Sequence, residues 1–279
     1  MVRSKDAVKM VFGSAAEHYE ALIIPAFRPF ARAVIDTARP QGDEIALDLG
    51  TGTGILAREI APQVTHVIGI DVAPQMIAAA RAATASENLG NVEFQEADTH
   101  ELTFPDGHFD LVVASFGLNA TSPAKAFPQI HRVMKNGAVL AFHEWGLQHE
   151  LDTALVDVLV NFMVDDEDAD EELLKIRAFV TAMCPWHNTF QETDDFLEEL
   201  TEFSQVEAWE DSPVDCVLPV AVFMDYKLAW PNRRAELNAM PDFQRADCLD
   251  ALRRTFQEFA DREGNIHYQP SLFRVRAVA

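Results

Sequence analysis

Three alternating glycines follow a short apolar run in the segment Ala46-Leu-Asp-Leu-Gly-Thr-Gly-Thr-Gly54. Residues 44–49 predict a buried strand, and residues 55–61 predict a helix that ends before Pro62. Glycine tolerates positive φ and, because it has no side chain, lets a ligand lie directly against the main chain. The segment therefore predicts the strand, turn and helix with which an α/β fold binds a nucleotide-like ligand.

Strand and helix patterns alternate beyond this segment. Further strands are predicted at residues 66–71, 92–97, 109–115 and 138–143, the last after a turn at Asn136-Gly137, and helices at 73–86 and 123–134. Strands separated by helices imply β-α-β crossovers, and hence a mainly parallel, doubly wound sheet of the Rossmann-like α/β class. Residues 206–209 and 273–278 are candidates for further strands.

The length of 279 residues suits one α/β core with a substantial elaboration. We predict four segments. Residues 1–42 form an N-terminal helical arm that Pro25 interrupts, and residues 43–147 form the Rossmann-like core. Residues 148–203 form an inserted helical cap for the substrate, and residues 204–279 supply the last strands with intervening helices.

The acidic residues around the glycine turn indicate which nucleotide binds. Asp71 ends the second strand, where a carboxylate can accept hydrogen bonds from both hydroxyls of a ribose. Residues 52–57 also fit the dinucleotide pattern, which leaves an NAD(P)-dependent oxidoreductase open. Asp48 disfavours that alternative, because its carboxylate would lie near a negatively charged pyrophosphate. S-adenosylmethionine, whose methionine part carries an ammonium and a sulfonium, fits this charge pattern better. The predicted contacts at the turn are Asp48, Gly50, Gly52, Gly54 and Asp71.

Two later strand ends complete a binding site for the whole cofactor. Asp98, after the third strand, could accept from the adenine amino group, with Thr99 beside the ring. Capping of the next turn is the alternative role for this carboxylate. Ser115 and Phe116 end the fourth strand, where the reacting methyl group would lie.

Residues 43–146 resemble the class I methyltransferases, in particular the group that methylates quinone precursors and similar small molecules. The resemblance is carried by ordered motifs: Leu47-Asp-Leu-Gly-Thr-Gly-Thr-Gly54, Gly69-Ile-Asp71 with Met76, Phe104-Pro-Asp-Gly-His-Phe-Asp110, Phe116-Gly-Leu-Asn119 and Arg132-Val-Met-Lys-Asn-Gly137. It implies an S-adenosylmethionine-dependent methyltransferase with a seven-stranded sheet that includes an antiparallel strand.

The resemblance also adds residues to the cofactor site. Residues 12–19 look like the N-terminal part that folds over the cofactor in this family and carries an aromatic residue towards it, which here is Tyr19. Val72, Met76 and Ala97 join the predicted contacts, although Ala97 replaces a frequent glycine. Residues 116–119 lack the arginine usual in quinone methyltransferases, which argues against a quinone precursor. The expected acceptor is a small, fairly apolar metabolite, methylated on O, N or C.

His143 and Glu144 end the fifth strand, at the rim where doubly wound sheets bind ligands. One of them is a candidate general base that removes a proton from the acceptor. The alternative is a histidine hydrogen-bonded within the sheet and a glutamate that orients a neighbour. His187 could face the substrate from the cap, although a surface histidine is the interpretation that we favour. Other aromatic residues could line an apolar pocket or only pack the cap: Trp186, Phe190, Phe223, Tyr226 and Trp230.

The net charge of -23 disfavours nucleic acid and anionic lipid surfaces as partners, because like charges repel. The three cysteines, Cys184, Cys216 and Cys248, are widely spaced, so no metal site or redox motif is predicted. The longest apolar run, at residues 217–224, is too short to cross a bilayer. We expect a cytoplasmic enzyme without membrane insertion, a homodimer being possible. A non-catalytic, S-adenosylmethionine-binding regulatory module is the remaining alternative.

Overall fold

The computed structural model describes residues 18–183 and 190–279 and, in the N-terminal segment, Lys9, Phe12, Gly13 and Ala16. Three residues discussed above lie outside the described part of the chain: Cys184, Trp186 and His187. Among the helices within the described part, none has the length and apolar character required to span a membrane.

A seven-stranded sheet forms the centre of the molecule. The strands, in chain order, are β1 (Ile45–Leu49), β2 (His66–Asp71), β3 (Val92–Glu96), β4 (Phe109–Ser115), β5 (Met134–Trp145), β6 (Ser204–Asp211), β7 (Cys216–Pro219), β8 (Asn265–Tyr268) and β9 (Leu272–Val278). The order across the main sheet is β3-β2-β1-β4-β5-β9-β6, and β7 and β8 pair separately. Strands β1 to β5 are parallel, whereas β9 runs antiparallel to both of its neighbours. The fold class predicted from the sequence is confirmed.

Helices cover both faces of this sheet. A π-helical turn (Tyr19–Ile23) leads directly into α1 (Ile24–Ala38), and the following helices are α2 (Ile55–Ile60), α3 (Pro74–Glu87), α4 (Pro123–Val133), α5 (Glu150–Val160), α6 (Glu171–Met183), α7 (Thr193–Glu199), α8 (Val220–Leu228), α9 (Pro231–Ala239) and α10 (Asp242–Phe259). Because helices cover both faces, β1 and β4 are buried along nearly their whole length.

Two local predictions differ from the structure. Pro25 does not interrupt the N-terminal helix, because it lies in the first turn of α1, where a missing N–H is tolerated. The Asn136-Gly137 turn does not precede the fifth strand but lies inside β5, at a register shift against β4. Gly137 has a φ of +82° there. A turn signal within a strand thus marks a bulge, which the local sequence does not distinguish from a chain reversal.

The helices after β5 pack on both sides of the sheet. Helices α5 and α6 join α8, α9 and α10 on the side of α1, with α10 packed on α5 and α9 packed on α6. Helix α7 lies on the opposite face, where Phe190 and Phe196 pack with Phe142 of β5. Packing therefore divides residues 148–203, which the sequence predicts as one inserted cap, and adds residues 220–259 to the part on the side of α1.

A buried ion pair joins these helices to the β7–β8 pair. The Nζ of Lys227 in α8 lies 2.7 Å from Oδ1 of Asp152 in α5 and 3.7 Å from the ring centroid of Tyr268 in β8. The hydroxyl of Tyr268 donates to the other oxygen of Asp152 at 2.8 Å. Burial lowers the pKa of Lys227 to about 7, although the adjacent carboxylate opposes this shift. The ion pair with Asp152 and the contact with the Tyr268 ring thus offset part of the free energy lost when the lysine leaves water.

Candidate functional site

The glycine turn between β1 and α2 is the centre of the candidate site. Gly50, Gly52 and Gly54 have positive φ angles of +63°, +55° and +83°. A Cβ on Gly50 would lie 2.6 Å from the Cα of Gly117, and a Cβ on Gly54 would lie 2.6 Å from the ring of Phe94. Around Gly52, in contrast, an added Cβ would meet no atom within 4 Å. Gly50 and Gly54 thus permit close packing, whereas Gly52 faces open space, where a ligand can approach the backbone.

Asp48 lies beneath this turn with 1% of its surface exposed. Its Oδ2 accepts hydrogen bonds from Oγ1 of Thr51 at 2.6 Å and from the backbone N–H of Ala57 at 3.1 Å. Burial raises the pKa of Asp48 to about 7, since removing a carboxylate from water disfavours its charged form. A cation bound near the turn would favour ionisation again, so this carboxylate is matched to a positively charged ligand.

Asp71 is held at the carboxyl end of β2 by the backbone. Its Oδ2 accepts from the N–H of Gly52 at 3.0 Å, and its Oδ1 accepts from the N–H of Ala73 at 2.8 Å. Burial raises the pKa of Asp71. Burial and the charge of Asp71 also raise the pKa of Tyr19, whose ring packs against the cluster that contains Ala73 and Met76. Val72, the next residue, is half-buried. The Asp71 carboxylate is therefore fixed at the turn, and its contact with a ribose stays a prediction.

The N-terminal segment lies against the start of α3 and the end of β3. Phe12 and Ala16 pack with Met76, which is 1% exposed. Lys9 forms an ion pair with Glu96, the last residue of β3. This segment is thus placed at the carboxyl ends of β2 and β3, the two strands that precede the predicted ribose and adenine contacts.

Asp98 follows β3 and caps the short 3₁₀ turn Thr99–Glu101. Its Oδ1 accepts a hydrogen bond from the backbone N–H of His100 at 2.9 Å. Thr99 is buried, and the half-buried Ala97 donates its N–H to the carbonyl of Asp71 at 3.1 Å. The capping role that the sequence leaves open is therefore present in the structure. A contact between Asp98 and an adenine stays a prediction.

Ser115, at the end of β4, is paired with His143 of β5. The Oγ of Ser115 lies 2.9 Å from Nε2 of His143, which is 1% exposed. Burial lowers the pKa of His143 to about 3, so the imidazole is neutral at pH 7 and a weak base. Its Nδ1 is buried without a hydrogen-bond partner among the residues that the structure describes. This geometry suits a histidine that orients the Ser115 hydroxyl, and its action as a general base stays a prediction.

Glu144 follows His143 and points to the other face of the sheet, as successive residues of a strand do. Its buried carboxyl accepts from the backbone N–H groups of Leu118 and Asn119 and from the side chain of Asn119. Burial raises the pKa of Glu144 well above its ordinary value. Glu144 therefore holds the loop that follows β4, and it acts on a different side of the sheet from His143.

Aromatic side chains cluster at the ends of β4 and β5. Phe116 has a φ of +57°, an uncommon conformation for a residue with a side chain. Its ring stacks on Trp145 with 4.1 Å between centroids, and it lies 5.3 Å from the ring of Phe27 in α1. Phe116, the residue after β4, is thus fixed between rings from a helix and from the neighbouring strand.

The cluster continues towards the cap and the π-helical turn. The ring centroid of Phe27 lies 5.7 Å from that of Trp230 and 6.1 Å from that of Tyr226. The ring centroids of Trp230 and Tyr19 are 6.2 Å apart. We call this set the aromatic wall; its members are Tyr19, Phe27, Phe116, Trp145, Tyr226 and Trp230. The wall connects the surroundings of the Asp71 carboxylate with the carboxyl end of β5.

The aromatic pocket predicted in the cap agrees with this wall only in part. Tyr226 and Trp230 belong to the wall, whereas Phe223 packs on Phe256 within the cap and Phe190 stacks in the cluster on the opposite face. The sequence analysis missed Phe27 and Trp145. The two-residue period of β5 offered a signal for Trp145, which shares a face with His143. No comparable signal distinguishes Phe27 from a core residue.

Comparison with known proteins agrees with this geometry. A family model described as a methyltransferase domain matches residues 46–137. The ubiquinone/menaquinone biosynthesis C-methyltransferase UbiE of Citrifermentans bemidjiense is 32% identical over 149 residues, which cover 50% of this chain and 63% of that protein. The nocamycin O-methyltransferase of Saccharothrix syringae is 36% identical over 128 residues, which cover 44% of this chain and 43% of that protein. The chain thus matches less than two thirds of the length of these curated relatives.

Solved structures share the architecture. Phosphoethanolamine N-methyltransferase 2 of Haemonchus contortus, in complex with phosphomonomethylethanolamine and S-adenosylhomocysteine, superposes with a TM-score of 0.60. The alignment covers 100% of this chain and 60% of that chain at 17% sequence identity, so this likeness concerns the fold. Residues 46–137, which contain the glycine turn and the parallel strands described above, thus match a methyltransferase domain, and the chain is similar to S-adenosylmethionine-dependent methyltransferases.

Proposed function

We propose that this protein binds S-adenosylmethionine at the glycine turn and transfers its methyl group to a small, fairly apolar acceptor. The observation that carries the proposal is the pair of carboxylates, the buried Asp48 and the half-buried Asp71, at a turn whose middle glycine, Gly52, faces open space. The cationic methionine part suits Asp48, and the ribose hydroxyls suit Asp71. The donor and acceptor groups of this turn therefore fit the cofactor.

The residues around the turn would orient the reactants and exclude water. S-adenosylmethionine, when bound, supplies a methyl group on a positively charged sulfur that is already a good leaving group. The protein then needs chiefly to align the acceptor and keep water away. Ser115, held by His143, and Phe116 stand at the end of β4, and the aromatic wall adjoins them. Glu144 keeps residues 117–119 in place beside the glycine turn.

The aromatic wall supports an apolar acceptor with a flat part. Tryptophan, tyrosine and phenylalanine rings offer large apolar contact areas, and six such rings adjoin one another in the wall. The similar proteins named above are, by their names, a C-, an O- and an N-methyltransferase. We therefore propose that the wall and the cap, more than the shared core, determine the acceptor atom.

The wider organisation of the chain enters the same proposal. Residues 1–42 act as an arm over the cofactor, and the helices on the side of α1 act as a cap over the acceptor. The protein acts in the cytoplasm on a small molecule and not on nucleic acid. The net charge of -23, which repels polyanions, supports this, and so do the free thiols of Cys216 and Cys248, which are typical of a reducing compartment.

Binding of S-adenosylmethionine is expected to strengthen about tenfold between pH 6 and pH 8. In the free protein the pKa of Asp48 is raised to about 7, so the folded state favours protonation and loses stability as the pH rises through that value. A bound cation lowers this pKa, so binding releases a proton when it occurs below pH 7. Isothermal titration at pH 6, 7 and 8 measures the slope, and an Asp48→Asn variant is the control that should lack it. A pH-independent affinity in the wild type would contradict the role given to Asp48.

Calorimetry followed by a turnover assay tests the proposal as a whole. Saturable binding of S-adenosylmethionine and S-adenosylhomocysteine, with release of S-adenosylhomocysteine in the presence of a small apolar acceptor, is the expected result. Binding without release for any acceptor in a broad panel would point to a non-catalytic module and refute the methyl transfer. Binding of NADH by a folded sample that binds neither compound would refute the cofactor.

A further inference from the structure

Arg58, four residues after the glycine turn, is a buried cation that joins three segments of the chain. Only 3% of its side chain is exposed. Its Nε donates to the carbonyl of Gly54 at 3.3 Å, one terminal nitrogen donates to Glu87 at the end of α3, and the other donates to Glu20 of the π-helical turn, both at 2.6 Å. The guanidinium thus ties the glycine turn and α3 to the segment that carries Tyr19.

We propose that Arg58 and Glu20 form a latch that holds the π-helical turn, with Tyr19, against the glycine turn and α3, so that this ion pair sets the residence time of the bound cofactor. The inference rests on the proposed function for the identity of the cofactor. Arg58 and Glu20 are positioning residues here, because they act through their neighbour Tyr19.

Glu20 is the partner of Arg58 that bears on Tyr19. It follows Tyr19 directly within the π-helical turn, a rare conformation that often occurs at functional sites. Tyr19 packs against the cluster that contains Ala73, two residues after Asp71, and contacts Trp230 of the aromatic wall. A bond that fixes Glu20 therefore fixes the aromatic residue predicted to cover the cofactor. Glu87, in contrast, belongs to the last turn of α3, within the core domain.

The double pairing of Arg58 makes the latch reversible. When Glu20 leaves, Arg58 keeps its charge-assisted bond to Glu87, so opening does not strand an unpaired charge in the protein interior. In the closed state, Oε2 of Glu20 is buried without a hydrogen-bond partner among the described residues. An unsatisfied buried oxygen opposes closure, which keeps the latch from being too strong to open.

Further contacts help to hold the segment when the latch is formed. The Lys9–Glu96 ion pair is partly exposed, and Phe12 and Ala16 pack on Met76. Exposed ion pairs contribute little; both partners of the Lys9–Glu96 pair are partly exposed, whereas in the other pair Arg58 is buried and only Glu20 is partly exposed. We therefore infer that the Arg58–Glu20 contact stabilises the packed segment more than the Lys9–Glu96 pair does.

Two matched substitutions on one guanidinium test the latch. Glu20→Gln removes one charged partner of Arg58, and Glu87→Gln removes the other, with similar exposure of the two side chains, 37% and 34%. We expect Glu20→Gln to accelerate dissociation of S-adenosylhomocysteine by about five- to tenfold, as the loss of a charge-assisted hydrogen bond implies. Glu87→Gln should leave the dissociation rate within about twofold of the wild type. It should lower thermal stability by about as much as Glu20→Gln does. Stopped-flow displacement, followed by tryptophan fluorescence, measures both rates.

Hydrogen exchange in the ligand-free proteins separates the latch from the cofactor assignment. The amides of residues 18–24 should exchange faster in Glu20→Gln than in the wild type. In Glu87→Gln their exchange rates should equal those of the wild type. Equal acceleration in both variants, in either experiment, would overturn the latch, and so would wild-type behaviour of Glu20→Gln. If the wild type binds neither S-adenosylmethionine nor S-adenosylhomocysteine, the proposed function fails, and the exchange pattern still decides whether Glu20 holds the segment.

Discussion

Replacement of Asp71 by alanine is expected to weaken binding of S-adenosylmethionine and S-adenosylhomocysteine by about 100-fold or more. The carboxylate is held in place by the N–H groups of Gly52 and Ala73, so it meets the ribose without further ordering. Each hydrogen bond to a charged acceptor contributes about 1.5–3 kcal/mol, and a ribose offers two hydroxyls. Isothermal titration measures the loss for both ligands.

A carboxylate at the other end of the sheet provides the control. Asp110 in β4 also accepts a backbone N–H, that of Ile45, and it pairs with Lys135, far from the strand ends that carry the candidate site. Asp110→Ala should retain wild-type affinity. An Asp71→Ala protein that is folded and binds either ligand within about twofold of the wild type would refute the assignment of the ribose contact.

Replacement of Gly117 by alanine is expected to cost about 3 kcal/mol of folding free energy or to prevent folding. A Cβ on Gly117 would lie 2.0 Å from the carbonyl oxygen of Leu49 and 3.0 Å from the Cα of Gly50. Both obstacles are backbone atoms, which cannot rotate away as the end of a side chain can. The loop after β4 would have to move away from the glycine turn.

Chemical denaturation, with the loss of far-ultraviolet circular dichroism as readout, checks this expectation. Gly90→Ala is the matched control, because an added Cβ there meets nothing within 4 Å and its φ lies outside the positive range. Coinciding denaturation midpoints for the two variants would show that the close approach of Gly117 to Leu49 is not a constraint on the fold.

The core was predictable because its signals are local. The glycine turn, the acid that ends β2 and the alternation of strands with helices each occupy a short stretch of sequence, and the structure has all five strands predicted within residues 43–147. The two-residue period of a strand also implies that His143 and Glu144 face opposite sides. The two candidates for a general base are therefore neighbours in the sequence but lie on opposite faces of the sheet.

The aromatic wall and the division of the cap were not predictable in the same way. Phe27 meets Tyr226 and Trp230 across most of the chain, and no periodic pattern records a contact between such distant segments. Phe190 and Phe196 are of the same residue type as Phe223 on the side of α1, yet they lie on the other face of the sheet. Which face a helix covers depends on the path of its connections, and residue type carries little information about that path.

The insertion of β9 between β5 and β6 also affects how the chain reaches its native state. Strand β5 is complete at Trp145, but its second partner arrives only with residues 272–278, after all the helices of the cap. During synthesis, the edge of β5, with its buried residues Leu140, Ala141 and Phe142, therefore has no strand to pair with. Exposed apolar edges of this kind favour association between chains. We therefore expect rapid pairing of β5 with the final strand to limit association between nascent chains.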